Sequence, residues 1–154
     1  MPIIVIGADT ATGAAVATAL VDQAAELRLF VTDPTAVAGL PATVRVAVGD
    51  VSDGTHIGAA AHDAFCAVVI EEAAGDDRPM AFATDPAAVL AQWVDGLSDA
   101  GVHRCIWVGA PGTADRFRGV APELAVVDPR GRALEEVAAE VAAIDEAGRL
   151  DQDR

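Results

Sequence analysis

The segment IIVIGADTATGAAVATAL, residues 3–20, constrains the fold more than any other part of this 154-residue chain. A short run of β-branched residues is followed by a turn with two glycines, and then by an alanine-rich stretch of helical composition. A helix that follows a buried strand in this way crosses one face of a sheet and returns the chain to a parallel strand. The segment therefore predicts a parallel α/β sheet.

The rest of the chain repeats this alternation of apolar runs and helical segments. The apolar runs predict five strands, at residues 3–7, 27–32, 43–48, 66–71 and 103–109. The helical patterns predict helices at residues 13–25, 55–63, 85–100 and 130–147. We expect an α/β fold with a single doubly wound Rossmann-type domain at residues 1–148, strand order 3-2-1-4-5, helices on both faces and a polar tail at 149–154.

Turn residues support these boundaries. Asp-Pro pairs at residues 85–86 and 128–129 mark two helix starts, because Asp caps a helix and Pro fits its first turn. Gly101 and Gly148 mark two helix ends. Residues 110–129 are predicted to form one long irregular connection.

The turn after the first strand has the composition of a phosphate-binding loop. Gly7 and Gly13 frame it, and the helix beyond offers free backbone N–H groups and the positive end of its dipole. Thr10 occupies the middle position of this GxxGxxG pattern. Its side chain either pushes a phosphate outward or, like that of Thr12, donates a hydroxyl to it. The alternative is that the two glycines only allow strand and helix to pack closely.

Three segments, IIVIGADTATGAAVATAL, VAVGDVSD and DPAAVLAQWVDGLSDAGVHRCIWVGA, resemble in this order the atypical and extended short-chain dehydrogenase/reductases, including the NmrA-like group. The resemblance covers residues 3–110 and implies a Rossmann fold that binds NAD or NADP. The residues that it assigns to the cofactor are Gly7, Gly13, Asp33, Asp50 and Val51. Asp9, Thr10 and Thr12 of the turn complete the set of candidate cofactor-binding residues.

Within this set, the aspartates follow the ends of strands. Asp33 falls near the position where the family holds the adenine ribose, and Asp50 and Val51 match the segment beside the adenine. NADP-preferring relatives often carry an arginine at the position of Thr32. The sequence shows no cation there, so NAD is favoured over NADP. Each aspartate has an alternative role as a helix cap or turn residue.

The catalytic groups of the family are missing. The chain has no tyrosine and its ten basic residues are all arginine, so the Tyr-x-x-x-Lys pair is absent. Gly109, Ala110 and Pro111 stand where the family usually has serines, and Thr113 is the nearest hydroxyl. Carbonyl reduction by the usual mechanism is therefore not supported, and the catalytic residues are unknown.

Carboxylates crowd the sheet edge that binds ligands in open α/β folds. They are Glu71, Glu72, Asp9, Asp33, Asp50 and Asp53. Such an edge repels a pyrophosphate or attracts a divalent cation or a cationic partner, unless the side chains point to solvent. With no histidine placed near them, we predict no metal site.

The composition bounds the partners and the location. A net charge of −14 argues against nucleic acid and anionic membranes, and no leader or membrane segment is evident, so a cytoplasmic location is expected. Cys66 and Cys105 are expected to be buried thiols. Arg116 and Arg118 are candidates to bind a phosphate or a carboxylate, with exposure to solvent as the alternative.

The last helix has a narrow apolar seam formed by Leu134, Val137, Val141 and Ile144. Proteins with this resemblance often pair through their last two long helices. A homodimer through residues 85–100 and 130–147 is one expectation, and packing of the seam on the chain's own sheet is the other.

Three functions remain open. The first is a dinucleotide-binding protein that senses NAD(P) or regulates, without the Tyr/Lys pair. The second is a pseudo-Rossmann scaffold that binds no nucleotide and acts through a protein partner. The third is an oxidoreductase or epimerase-like enzyme with non-standard catalytic groups or a site completed by a partner.

Overall fold

Short apolar runs form one parallel sheet in the computed structural model, which describes residues 1–148 and 150. Its strands are Pro2–Ile6 (β1), Glu26–Val31 (β2), Arg45–Val48 (β3), Cys66–Ile70 (β4), Arg104–Val108 (β5) and Glu123–Val127 (β6). They lie in the order β3-β2-β1-β4-β5-β6, and every neighbouring pair is parallel. All residues of β4 and β5 are buried, as expected for central strands of a sheet covered on both faces.

Helices cover both faces of this sheet. They are Ala11–Leu20 (α1), Gly54–Ala61 (α2), Pro86–Ala100 (α3) and Leu134–Glu146 (α4). α1 and α4 pack together on one face, and α2 and α3 pack together on the other. The predicted doubly wound Rossmann-type fold is confirmed.

The sixth strand differs from the prediction. β6 lies inside residues 110–129, which were predicted to be irregular. Its apolar run is short and follows Pro122, and it pairs only with β5, so the local pattern carried little signal. An edge strand of this kind is defined mainly by its long-range partner.

Two helix boundaries were also wrong. α4 begins at Leu134, because Gly131 has a positive φ of 69° that ends any helical run before it. Asp128 forms a turn instead of a helix cap, with its carboxylate accepting the N–H of Arg130 at 3.1 Å. α1 ends at Leu20 instead of residue 25. Directly after Leu20 the chain forms a turn, in which the N–H groups of Gln23 and Ala24 donate to the carbonyl of Leu20.

The boundary signals of α3 hold. Asp85 caps α3 by accepting the N–H of Ala88 at 3.0 Å, and Gly101 ends the same helix with φ +76°. Gly148 lies beyond the end of α4 and does not terminate it, since Ala147 is the C-cap. The predicted tail at 149–154 lies outside the described residues except for Leu150.

α2 and α3 touch backbone to backbone. A Cβ added at Gly96 would lie 2.3 Å from the carbonyl oxygen of Gly54, and one added at Gly58 would lie 2.8 Å from the carbonyl oxygen of Gly96. Only glycine permits such a close approach of two backbones, so the two helices pack tightly where they cross.

The predicted dimer helices lie on opposite faces of the sheet. Trp93 and Leu97 of α3 are buried in the core on one face, and Val137 and Val141 of α4 are buried in the core on the other. Most of the apolar residues behind the dimer prediction therefore pack within the chain, whereas Leu134 is 39% exposed. The dimer itself stays a prediction.

Cys66 and Cys105 are buried thiols, as predicted. They lie on neighbouring strands but belong to the cores on opposite faces of the sheet, which keeps the two sulfurs apart. Burial raises the pKa of Cys105 to about 12 and also raises that of Cys66, so both stay protonated. Between residues 1 and 148, no helix has the length and apolar character needed to cross a bilayer.

Candidate functional site

The glycine turn between β1 and α1 is built by close backbone packing. Gly7 has a φ of +90°, and a Cβ added to it would lie 2.7 Å from the Cβ of Ala73. A Cβ added to Gly13 would lie 2.0 Å from the carbonyl oxygen of Gly7. Both glycines are therefore required by the turn itself, whether or not it holds a ligand.

Thr10 is the N-cap of α1. Its hydroxyl donates to the carbonyl of Gly7 at 2.8 Å and accepts the N–H of Gly13 at 2.9 Å, and the side chain is buried. The single hydroxyl proton is thus used inside the turn and is not available to a phosphate. Threonine here fastens the turn in a way that glycine cannot.

Beyond this cap, the first turn of α1 keeps unpaired donors. The N–H groups of Ala11 and Thr12 have no acceptor among the described residues. They sit at the positive end of the helix dipole.

Asp9 is buried beneath the end of β2, with only 4% of its side chain exposed. One carboxylate oxygen accepts the N–H groups of Thr32 and Asp33, at 2.9 and 3.0 Å. The other oxygen accepts from Nη1 of Arg78 at 2.9 Å. Asp9 therefore ties the glycine turn to the end of β2 and to a distant arginine.

Arg78 belongs to the segment between β4 and α3, residues 75–85, which we call the strap. The N–H of Ala81 donates to Asp50 at 2.7 Å, and the N–H of Phe82 donates to the Ser52 hydroxyl at 3.0 Å. Burial alone would raise the pKa of Asp50, but hydrogen bonds from Ser52 and Ala81 outweigh it and lower that pKa. The strap thus spans the carboxyl ends of β1, β2 and β3.

Asp33 and Val51, the other predicted adenosine residues, have roles in the fold. Asp33 accepts the N–H and the hydroxyl of Thr35, at 3.0 and 2.7 Å, and these bonds lower its pKa. It caps a short 3₁₀ helix, which is the alternative that the sequence left open. Val51 is buried, and its carbonyl accepts from the indole N–H of Trp93 at 2.7 Å.

The carboxylates of this edge are mostly engaged by the chain. Glu71 accepts the N–H of Ala110 at 2.8 Å and the hydroxyl of Thr113 at 3.0 Å. Asp53 caps α2, while Glu72 is exposed. In the part of the chain that the structure describes, no three metal-ligating side chains come together.

A pocket of about 190 Å³ opens between the ends of β4 and β5, the start of α1 and the loop after β6. Residues that give it polar character are Thr12, Glu71, Glu72 and Arg130. Arg130 is held by Asp128, at 2.7 Å between Nη2 and Oδ2, and this contact lowers the pKa of Asp128 to about 2. The pocket therefore carries both signs of charge.

Arg116 and Arg118, the predicted anion ligands, do not line this pocket. Both are exposed, and Arg118 pairs with Asp115 at 2.7 Å. The arginine that lines the pocket is Arg130. No local pattern marked Arg130, because its position depends on β6, which the local pattern did not reveal.

Comparison with known proteins identifies the family. A sequence profile of the NAD(P)H-binding family matches residues 7–148. The chain belongs to this family. A search of curated protein sequences found no match.

Solved structures share the fold of this NAD(P)H-binding protein. Triphenylmethane reductase from Citrobacter sp. is 16% identical, with a TM-score of 0.75 over 97% of this chain and 66% of its own. ChuY, an anaerobillin reductase from Escherichia coli O157:H7, is 17% identical, with a TM-score of 0.68 over 99% and 94%. A Rossmann-fold NAD(P)-binding family protein from Shigella flexneri is 17% identical, with a TM-score of 0.67 over 94% and 86%. This chain thus spans just under two thirds of the length of the first.

The glycine turn fits the dinucleotide that the family binds. The free N–H groups of Ala11 and Thr12 supply donors for a phosphate, and no side chain at Gly7 or Gly13 fills the cradle. Thr12 also borders the pocket. The prediction of NAD(P) as cofactor is confirmed by the family, while the choice between NAD and NADP and the individual contact residues stay predictions.

Proposed function

We propose that this protein is an NAD(P)-binding module that senses the nucleotide or regulates in response to it, without the Tyr–Lys pair of the short-chain dehydrogenase/reductases that its sequence resembles. The observation that carries the proposal is the hydrogen bonding of the polar groups that follow β5. The Thr113 hydroxyl and the Ala110 N–H are the polar groups nearest to the missing serines, and both donate to Glu71. Neither is directed at a substrate.

The pocket also lacks an ordinary proton donor among its described residues. No tyrosine, lysine, histidine or cysteine of the described part of the chain lines it, and Arg130 holds its protons too tightly to act as an acid near neutral pH. Reduction of a carbonyl needs a proton for the developing alkoxide. This arrangement supports nucleotide binding more than carbonyl turnover.

Calorimetric titration with NAD, NADH, NADP and NADPH, each up to millimolar concentration, tests the proposal. We expect a saturable signal from wild type with at least one of them. Thr12→Asp places a negative charge among the free N–H groups of the α1 N-terminus, where it suits the helix dipole and repels phosphate. Binding should fall at least about tenfold.

Thr18→Asp is the matched control, because it makes the same change at an exposed position of the same helix, away from the turn. It should leave binding unchanged. Saturable binding that both variants reduce equally would contradict a site at this turn. Absence of a binding signal with all four nucleotides would overturn the proposal and favour the scaffold that acts through a protein partner.

A second candidate is hydride transfer to an acceptor that needs no protein acid. The pocket beside the start of α1 favours it, since Glu71 and Glu72 give its wall carboxylates that suit a cation. A bound nicotinamide would supply the hydride. A delocalised carbocation accepts a hydride without a proton, and triphenylmethane reductase, which shares the fold, is described with triphenylmethane dyes.

Anaerobic oxidation of NADPH and NADH with a cationic triarylmethane dye, compared with a simple ketone, separates the two candidates. Turnover with the dye that Glu72→Gln slows would favour the reductase. Absence of turnover with both acceptors, in a preparation that binds nucleotide, supports the sensing module.

A further inference from the structure

We infer that Arg78 selects NADP(H) over NAD(H) by binding the 2′-phosphate of the adenine ribose, and that Asp76 takes the place of this phosphate when it is absent. The inference rests on the proposed nucleotide binding and adds a specificity residue to the same site. Arg78 lies on the strap, far in sequence from the residues that usually read this part of the ligand.

The position of the guanidinium is the first support. Nη1 of Arg78 lies 3.3 Å from the hydroxyl of Thr32 and 2.9 Å from Oδ1 of Asp9. Thr32 directly follows β2, at the place where dinucleotide-binding folds distinguish a ribose hydroxyl from a 2′-phosphate. The sequence showed no cation at this place, and the fold brings one there from the strap.

The geometry of the ion pair with Asp76 is the second support. Nε and Nη2 of Arg78 donate to the two oxygens of Asp76, at 2.8 and 2.6 Å. These two parallel bonds form the fork that arginine offers to a carboxylate or a phosphate alike. Asp76 therefore occupies the edge of the guanidinium that a phosphate would use.

The two carboxylate partners of Arg78 differ in how firmly they are held. Asp9 is 4% exposed and is fixed by two backbone N–H groups, whereas Asp76 is 28% exposed and lies on the strap itself. Within the described part of the chain, Arg78 is the one side chain that bonds to Asp76. Asp76 is the partner that can be exchanged while Asp9 keeps the arginine in place.

Besides Asp9, Asp33 is a carboxylate that would oppose a phosphate beside Thr32. One of its oxygens is committed to Thr35, which directs the side chain toward its own 3₁₀ helix. A 2′-phosphate carries more charge than the carboxylate of Asp76, so it forms the stronger pair with the guanidinium. The exchange therefore favours the phosphorylated cofactor.

Calorimetry with 2′,5′-ADP and 5′-ADP measures binding of the adenosine half of the dinucleotide alone. NADP and NAD then test the complete dinucleotide. We expect wild type to bind the 2′-phosphorylated member of each pair at least about tenfold more tightly. Arg78→Gln should reduce this ratio to about one. Asp76→Asn should raise affinity for the 2′-phosphorylated members about threefold or more and leave the others unchanged.

Asp77→Asn is the matched control, since it removes the same charge from the next residue of the strap. Asp77 is exposed and has a φ of +64°, which asparagine tolerates. Loss of Arg78 can also disturb the turn through Asp9, but that damage would weaken both members of each pair and leave their ratio unchanged.

Equal ratios in wild type and Arg78→Gln, with both binding, would overturn the inference alone. A wild type that binds NAD as tightly as NADP would do the same. Failure of every nucleotide to bind wild type would overturn the proposed function and this inference with it.

Discussion

Two buried arginines lie at opposite edges of the same sheet. Arg78 is 9% exposed and lies at the carboxyl ends of the strands, while Arg104 is 2% exposed and begins β5 at their amino ends. Arg78 bonds to side chains on three separate segments. Arg104 bonds to one carboxylate, that of Glu123, and otherwise to main-chain carbonyls at the end of α4.

The difference lies in what each arginine holds. The carbonyls at the end of α4 are part of the main chain and carry the negative end of the helix dipole. Arg104 therefore caps α4 and fixes it to the sheet. Carboxylates on loops can be exchanged for another anion. The amino edge thus fixes a helix to the sheet, whereas our inference makes Asp76 at the carboxyl edge the partner that a ligand replaces.

Arg104→Ala should produce the largest loss of stability. It leaves Glu123 buried without its arginine partner and removes the guanidinium donors to the carbonyls of Ile144, Ala147 and Gly148. We expect a loss of about 3–5 kcal/mol in the free energy of unfolding, measured by urea denaturation. Arg118→Ala, at an exposed ion pair, should change stability by less than about 0.5 kcal/mol. Equal effects of the two would contradict a structural role for Arg104.

Asp9→Asn tests the opposite edge. The amide keeps one acceptor for the N–H groups of Thr32 and Asp33 but loses the charge that pairs with Arg78. A loss of about 1–3 kcal/mol is expected in the same denaturation experiment, smaller than that of Arg104→Ala. Nucleotide affinity should fall as well, whereas Arg104→Ala should leave the affinity of the folded protein unchanged. A loss of affinity in Arg104→Ala but not in Asp9→Asn would contradict the different roles of the two edges.

Thr10→Ala should have a smaller effect. It removes the N-cap of α1, so we expect a loss of about 1 kcal/mol in the free energy of unfolding. The N–H groups of Ala11 and Thr12 keep their positions, and nucleotide affinity should therefore change little. A large loss of affinity with unchanged stability would show that Thr10 contacts the ligand.

The pH dependence gives the finest comparison. Burial would raise the pKa of Glu123, but hydrogen bonds from Arg104 and from the N–H of Leu150 lower it, and the Arg78 hydrogen bond lowers that of Asp76. A carboxyl with a lowered folded-state pKa stabilises the fold above its unfolded pKa and loses this contribution as the pH falls through its folded value. Stability should therefore decline below about pH 4. Glu123→Gln should flatten that decline more than Asp76→Asn does, as thermal melts across this range can show.

The strands and the glycine turn could be predicted from the sequence, but the contacts between distant segments could not. Strands β1 to β5 and the turn glycines follow from local patterns, because buried parallel strands are continuous apolar runs. Gly7 and Gly13 stand out since only glycine fits their surroundings. β6 escaped because its pairing with β5 is not a local property.

The site was harder to predict than the fold. Arg78 lies 69 residues from Asp9 along the chain, so no spacing rule connects them. Thr10 was considered as a replacement for glycine, and its role as a helix cap depended on a helix start at Ala11, two residues before the predicted one. Arg130 reaches the pocket only because β6 delivers its loop there.

The backbone contact between α2 and α3 decides where the molecule can yield. Gly54 and Gly96 meet so closely that α3 cannot slide along α2 without a clash. The strap leads directly into the capped start of α3 at Asp85. The strap therefore joins α3 at a fixed point, and any displacement of residues 75–85 would leave the packing of α3 on α2 unchanged.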